Sequence, residues 1–368
     1  MHIQTVTTLA IALLAGSFFL SLILTGVVKV IAERVGFVSR PSRNRLGERS
    51  VALGGGIAIF TALAVIMVAG AVAIKLWRVP APLAESAGIK TGDFLAKINE
   101  LAVILLCLFM LFVLGLWDDK KHLGPVIKLV VQFAAALIVA SLTETRLEFF
   151  IENRVVTVIL SAFWIVLIIN AFNFLDNMDG LSAGVAVIVS LVLLVAAVVS
   201  GQVFVGGLAL VFAGVLLGFL FFNFPPAGIF MGDAGSLVVG FLVALLTLRT
   251  TYYQQVQSGR WYAVLLPLIV MAVPLYDFIS VTLLRLIQGK SPFVGDTQHF
   301  SHRLKKRGLS DTQTVLTLYL ATLTTALGAT FLYQVDLAGA VLIFIQTFMV
   351  LAIIAVFETT AKNDKSRD

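Results

Sequence analysis

Residues 101–121 read LAVILLCLFMLFVLGLWDDKK: seventeen positions without a charge, then Asp118, Asp119, Lys120 and Lys121 in succession. An uncharged run of that length is what an α-helix needs to cross the hydrocarbon core of a bilayer. A carboxylate pair at its end is costly beside lipid and is usually kept for function. The same juxtaposition occurs twice more. NAFNFLDNMDG (170–180) carries Asp176 and Asp179 after an apolar run, and IFMGDAGS (229–236) places Asp233 before one.

Around these strings the composition is that of a membrane protein. The 368 residues are 60% hydrophobic and 12% charged, with a mean hydropathy of +1.03, which excludes an ordinary soluble domain. Apolar runs near 7–31, 53–76, 100–117, 125–143, 155–171, 180–200, 203–222, 234–249, 262–286, 313–334 and 337–357 predict about eleven spans. The connections are mostly short. The expected fold is therefore all-α, a polytopic integral membrane helical bundle forming a single domain over 1–368. Only His2 precedes the first run, without the basic flank of a signal peptide, so that run reads as a span. The single cysteine, Cys107, allows no internal disulfide.

The net charge of +6 is no argument for nucleic acid, because in a membrane protein the placement of the positives matters. One set of alternate loops holds Lys29, Arg34, Arg40, Arg43, Arg45, Arg49, Lys120, Lys121, Lys128, Arg285, Lys290, Arg303, Lys305, Lys306, Arg307, Lys362, Lys365 and Arg367, 18 of the 26 basic residues. The other holds Lys75, Arg78, Lys90, Lys97, Arg146, Arg154, Arg249 and Arg260. The positive-inside bias puts the first set in the cytoplasm, the N-terminus outside and the C-terminus inside. All three acidic clusters, and the polar loop 289–310, then share the cytoplasmic face.

Each cluster suggests a chemistry. Adjacent carboxylates such as Asp118 and Asp119 do not share a helix face, so one can serve a metal while the other bonds elsewhere. Asn170, Asn173, Asp176 and Asp179 recur every three residues, a ridge of donors and acceptors suited to a nucleobase, ribose or sugar edge. Interhelical hydrogen bonding is the alternative, above all for Asn170. Asn223 and Phe230 lie in the loop before Asp233, where an aromatic ring can stack on a base. Gly232 and Gly235 permit tight turns there. The loop 289–309 holds Asp296, His299, His302 and Arg303, groups that suit a pyrophosphate. Four histidines in the whole chain make a zinc site a poor reading. Asp277, inside the ninth run, reads equally as functional or as a buried partner of Arg285.

Taken in order, DDKKHLGPVIKLVVQ, NAFNFLDNMDGLSAG, NFPPAGIFMGDAGSLVVG and PLYD followed by SPFVGDTQHFSHRL resemble the polyprenyl-phosphate N-acetylhexosamine-1-phosphate transferases. The resemblance runs from Gly54 to Gly308. It implies a Mg2+-dependent enzyme (Mn2+ as substitute) of the cytoplasmic membrane, multi-pass, with its active site on the cytoplasmic face. Its partners would be a UDP-N-acetylhexosamine, a polyprenyl phosphate and the bilayer, with no nucleic acid and a homodimer left open. The resemblance also implies roles. Asp118, Asp119, His299 and His302 are the catalytic candidates. Lys128, Asn173, Asp176, Asp179, Asn223, Phe230 and Arg303 are the substrate-binding candidates, and Asp233 with Asp176 the metal candidates.

Two departures stand out. LGERSVALGGG lacks a His and two Pro that the family often has there, and Ser301 stands where a third histidine often follows. The expected reaction is transfer of N-acetylglucosamine 1-phosphate from UDP-N-acetylglucosamine to undecaprenyl (polyprenyl) phosphate with release of UMP, as the first membrane step of a cell-envelope glycan. The four positives after His302 favour a compact anionic donor. The alternative donor is UDP-N-acetylmuramoyl-pentapeptide, and the rival class is a secondary transporter, for which no internal repeat is visible. Direct attack and a covalent Asp intermediate remain two open routes.

Overall fold

The apolar runs become helices in the computed structural model, which describes residues 2–39, 50–77, 91–147, 151–250, 261–291 and 298–359. Arg40, Arg43, Arg45, Arg49, Arg78, Lys90, Arg260, Asp296, Lys362, Lys365 and Arg367 lie outside the described residues. The helices are α1 (His2–Val35), α2 (Gly55–Trp77), α3 (Thr91–Lys120), α4 (Pro125–Leu142), α5 (Arg154–Leu175), α6 (Leu181–Val199) and α7 (Val203–Asn223). They continue as α8 (Gly232–Arg249), α9 (Leu266–Val270, preceded by a 3-10 turn at Trp261–Leu265), α10 (Ala272–Ile287), α11 (Phe300–Lys306), α12 (Asp311–Thr330) and α13 (Leu337–Thr359).

Among the described residues, nine helices are long and apolar enough to cross a membrane, and one bent pair makes a tenth. The expected count of about eleven differs at one helix. α12 lies where the tenth run was expected, but its seven threonines leave it short of that apolarity. Ser310 starts it with a capping box shared with Gln313. The run at 262–286 is not one straight span. It bends by 64° between Val270 and Ala272. Pro274 is the physical reason: it has no N–H to give the carbonyl of Val270, and its ring crowds that carbonyl.

The all-α expectation also omits a three-stranded sheet. β1 (Val38–Ser39) pairs antiparallel with β2 (Val51–Leu53), and β2 pairs parallel with β3 (Ile229–Phe230), in register Ala52 to Ile229 and Leu53 to Phe230. Strands of two or three residues carry no readable alternation. Their effect is positional: they tie the start of α2 to the loop before α8.

α8 is the hub. Nearly all of its residues are buried, and it packs on α2, α3, α5 and α6. The peripheral helices α1, α4 and α13 turn apolar side chains outward, among them Phe19, Ile23, Val126, Val130, Leu342 and Phe348. An apolar exterior this extensive belongs to a protein solvated by lipid. Two glycines let α8 approach its neighbours. A Cβ on Gly115 of α3 would stand 2.4 Å from the Ala234 backbone, and one on Gly56 of α2 would stand 2.3 Å from the Gly235 nitrogen.

The charge bias fixes a test of orientation. Lys121, after α3, and Glu152, before α5, are both exposed, whereas Cys107 is buried. A cysteine at position 121 is expected to react with a membrane-impermeant maleimide only in inverted vesicles, and one at 152 only in right-side-out vesicles. The opposite pattern would reverse the topology. Ser182, Ser236 and Ser301 are each fully buried and unsuitable as labelling positions.

Candidate active site

The site is assembled where the end of α3 meets the start of α8. Gly115 and Asp119 are four residues apart on α3 and so share a face. Gly115 allows the contact, and Asp119 fills the space beyond it. The Asp119 carboxylate accepts the backbone N–H groups of Asp233 (2.8 Å) and Ala234 (3.1 Å). These are N–H groups that a helix cannot satisfy internally, at the positive end of its dipole. Gly232, at φ +71°, makes the turn into α8, and a Cβ there would stand 2.8 Å from Asp119 Oδ2. Asp119 therefore works as a cap delivered from another helix.

Asp118 points elsewhere, as adjacent helix positions must. Its Oδ1 accepts the N–H of Leu123 (2.6 Å) and its Oδ2 accepts from Lys128 Nζ (2.5 Å). Lys128, on the first turn of α4, donates also to Asp233 Oδ2 at 2.7 Å. One ammonium thus bridges carboxylates from two helices. Asp118 is only 6% exposed, and a buried carboxylate holds its charge only with such a partner.

The polar ridge divides by role. Asn170 donates to Gln132 on α4 (2.8 Å), the interhelical bond that is the alternative reading for it. Asn173 donates to Asp233 Oδ1 (3.1 Å) and to Ser236 (2.8 Å), which brings α5 onto the cluster. Asp176 is the C-cap residue of α5 and is half-buried. Asp179 accepts the N–H of Ala227 (2.9 Å). Both ends of the Asn223 amide are spent on the fold: Oδ1 accepts from Gly180 N (3.0 Å) and Nδ2 donates to the Ile229 carbonyl (2.8 Å). Asn223 joins the Asp179 turn to β3 and so positions Phe230, which is half-buried.

The histidine segment packs against the end of α5 and the turn after it. Ser301, at the place where the family often has a third histidine, donates to Asn177 at 2.5 Å. The His299 ring lies edge-on to Phe174, centroids 5.5 Å apart, and 6.3 Å from the His302 ring. Arg303, a donor-binding candidate, has guanidinium contacts within the fold. It pairs with Glu358 at the end of α13 (2.8 Å) and donates to the Gln298 carbonyl and to Ser280. Arg307 donates to the Glu358 carbonyl, and Lys305 pairs with Asp311. Three of the four positives after His302 thus pin the segment in place. Glu358, which also accepts from Tyr276 (3.1 Å), is absent from the sequence-based candidates. A carboxylate at the end of the last apolar run is the signal that could have found it.

The metal candidates Asp233 and Asp176 supply hard carboxylate oxygens, the donor type magnesium takes. Asp118 and Asp233 bring hard oxygen donors from separate helices to one cationic point, now held by the Lys128 ammonium. Magnesium takes one or two carboxylates and leaves its other positions to water and substrate phosphate. Among the described residues no three His, Cys, Asp or Glu side chains surround a common point.

Two outcomes test these assignments. Asp119→Ala leaves the first turn of α8 uncapped and is expected to cost about 1–2 kcal/mol of stability, read by thermal unfolding in detergent; unchanged unfolding would contradict the cap. His302 is buried, its Nδ1 has no hydrogen-bond partner among the described residues, and burial, then His299 and Lys305, push its pKa down to about 4. The unfolded chain, with a histidine near the ordinary value of about 6.5, takes up that proton first. The stabilising contribution is thus complete above about pH 6.5 and is lost as pH falls toward 4. His302→Gln should show a shallower decline of Tm over that window, and parallel declines would refute the assignment.

Comparison with known proteins identifies the family. Residues 101–251 match the model of glycosyl transferase family 4. The chain is 35% identical to a probable undecaprenyl-phosphate N-acetylglucosaminyl 1-phosphate transferase of Bacillus subtilis, over 81% of this chain and 78% of that one. It is 31% identical to the decaprenyl-phosphate N-acetylglucosaminephosphotransferase of Mycolicibacterium smegmatis, over 80% and 75%. It is 28% identical to an undecaprenyl-phosphate alpha-N-acetylglucosaminyl 1-phosphate transferase of Thermotoga maritima, over 81% and 83%. A relative this similar over most of both chains settles membership: the chain belongs to glycosyl transferase family 4.

Proposed function

We propose that this chain transfers N-acetylglucosamine 1-phosphate from UDP-N-acetylglucosamine to a polyprenyl phosphate, releasing UMP, at the cytoplasmic face of the cell membrane. The observation that carries the reading is the Lys128 ammonium held between Asp118 and Asp233, beside the lipid-facing helices α3 and α4. The names of the relatives support the acceptor and the sugar. The four positives after His302 no longer argue for a compact donor, because three of them are engaged within the fold.

In the proposed reaction an oxygen of the lipid phosphate attacks the β-phosphorus of the donor. The bond from that phosphorus to the bridging oxygen breaks, and UMP leaves with the bond's electrons. One phosphoanhydride replaces another, so the free-energy change is small. Lys128 attracts the two phosphates and relieves their repulsion. Asp118 is the acceptor for any proton that the lipid phosphate still carries. Asn173 holds the Asp233 carboxylate in place, and Phe230 offers a face to the uracil. Asp233, with Asp176 as second candidate, would hold magnesium, which when bound neutralises the pyrophosphate and stabilises the departing UMP. Direct attack needs no aspartyl nucleophile, and it leaves Asp119 to the two backbone N–H groups it caps.

Purified protein in lipid-supplemented detergent is expected to release UMP from UDP-N-acetylglucosamine only with polyprenyl phosphate and a divalent cation. Asp118→Asn should lower turnover at least about 10²-fold. UMP release without the lipid, or full turnover in chelator, would refute the acceptor or the metal respectively. Faster product formation from UDP-N-acetylmuramoyl-pentapeptide at equal concentration would refute the sugar and leave the reaction class intact.

A further inference from the structure

Asp277 lies on the second turn of α10 and is fully buried. A carboxylate inside a membrane span is expensive unless something specific is bound to it. Here both oxygens are given to the histidine segment. Oδ2 lies 2.9 Å from His299 Nδ1, and Oδ1 accepts the backbone N–H of Phe300 at 3.0 Å. Arg285, the partner that sequence spacing suggests for Asp277, places its guanidinium over the Phe174 ring, 5.0 Å from the centroid. The same ring meets His299 edge-on. One ring hydrogen bond, the anchored backbone of the next residue and contacts with the Phe174 and His302 rings therefore define the orientation of His299, which is only 6% exposed.

The chemistry of the pair limits the imidazole further. A carboxylate only accepts, so the ring nitrogen facing it carries the proton. Nε2, on the far side of the ring from Asp277, is the atom left to a ligand. We propose that Asp277 is a positioning residue for His299: it fixes Nδ1 as the protonated nitrogen and presents Nε2 to the phosphate groups of the donor. This rests on the transfer reaction proposed above. It explains why a carboxylate stands in this span, two turns before Arg285.

Two readouts test the pair, one of them independent of activity. The first is 15N NMR of histidine-labelled protein without substrate, tractable because the chain has only four histidines and His299→Gln assigns the signal. The wild type should show His299 with its proton on Nδ1, and Asp277→Asn should move that proton or mix the tautomers. An identical His299 signal in both proteins would overturn the proposal. The second is a double-mutant cycle on kcat for UMP release. Asp277→Ala should lower kcat at least about 10-fold with little change in KM for the lipid, and should add no further loss to His299→Ala. Losses that multiply would show that Asp277 acts by another route. Asp277→Asn, which keeps the side chain's shape, serves the cycle if Asp277→Ala does not fold. A wild type that releases no UMP would refute the transfer reaction, and the NMR result would still decide the pair.

Discussion

The Asp119 carboxylate on the first turn of α8 is the contact on which the site depends. α8 is buried along nearly all of its length, so the N–H groups of its first turn depend on protein partners. Asp119 answers two of them, and Gly115, one turn back, removes the side chain that would keep the helices apart. That places Asp233 at a fixed distance from α3 and α4. Lys128 then spans the remaining gap to Asp118.

From this centre a line of polar contacts leads outward. Asn173 links Asp233 to α5, Asn223 links the turn at Gly180 to the strand bearing Phe230, and Ser301 links Asn177 to the histidine segment. Glu358 anchors that segment to the last helix through Arg303. Each of these bonds joins elements separated by intervening structure. In lipid such bonds replace the hydrophobic drive that would hold a soluble core together.

The amino-acid sequence makes the helices and the acidic residues of the site legible. Bilayer thickness sets the length of a span, so the apolar runs locate the helices. The cost of charge near lipid picks out Asp118, Asp119, Asp176, Asp179 and Asp233. What each carboxylate does is not legible, because its partner is distant along the chain. The Asp119 donors lie on a helix more than a hundred residues later, and spacing within α3 says nothing of them. The Arg303 pairing with Glu358 is not legible for the same reason, since its partner lies far along the chain. The bend in the ninth run has a sequence signal in Pro274, which the length of the apolar run outweighs. The three short strands leave no periodic trace.

The central claim is that the donor's pyrophosphate lies at the Asp118–Lys128–Asp233 bridge, with the histidine segment closing over it. The most direct measurement is a cryo-EM structure of the chain with UDP-N-acetylglucosamine and Mn2+ in a lipid nanodisc. The geometry predicts the β-phosphate beside Lys128 Nζ, the manganese density against the Asp233 carboxylate and the uracil against Phe230. A nucleotide bound with its phosphates away from Lys128, or manganese held without Asp233, would contradict it.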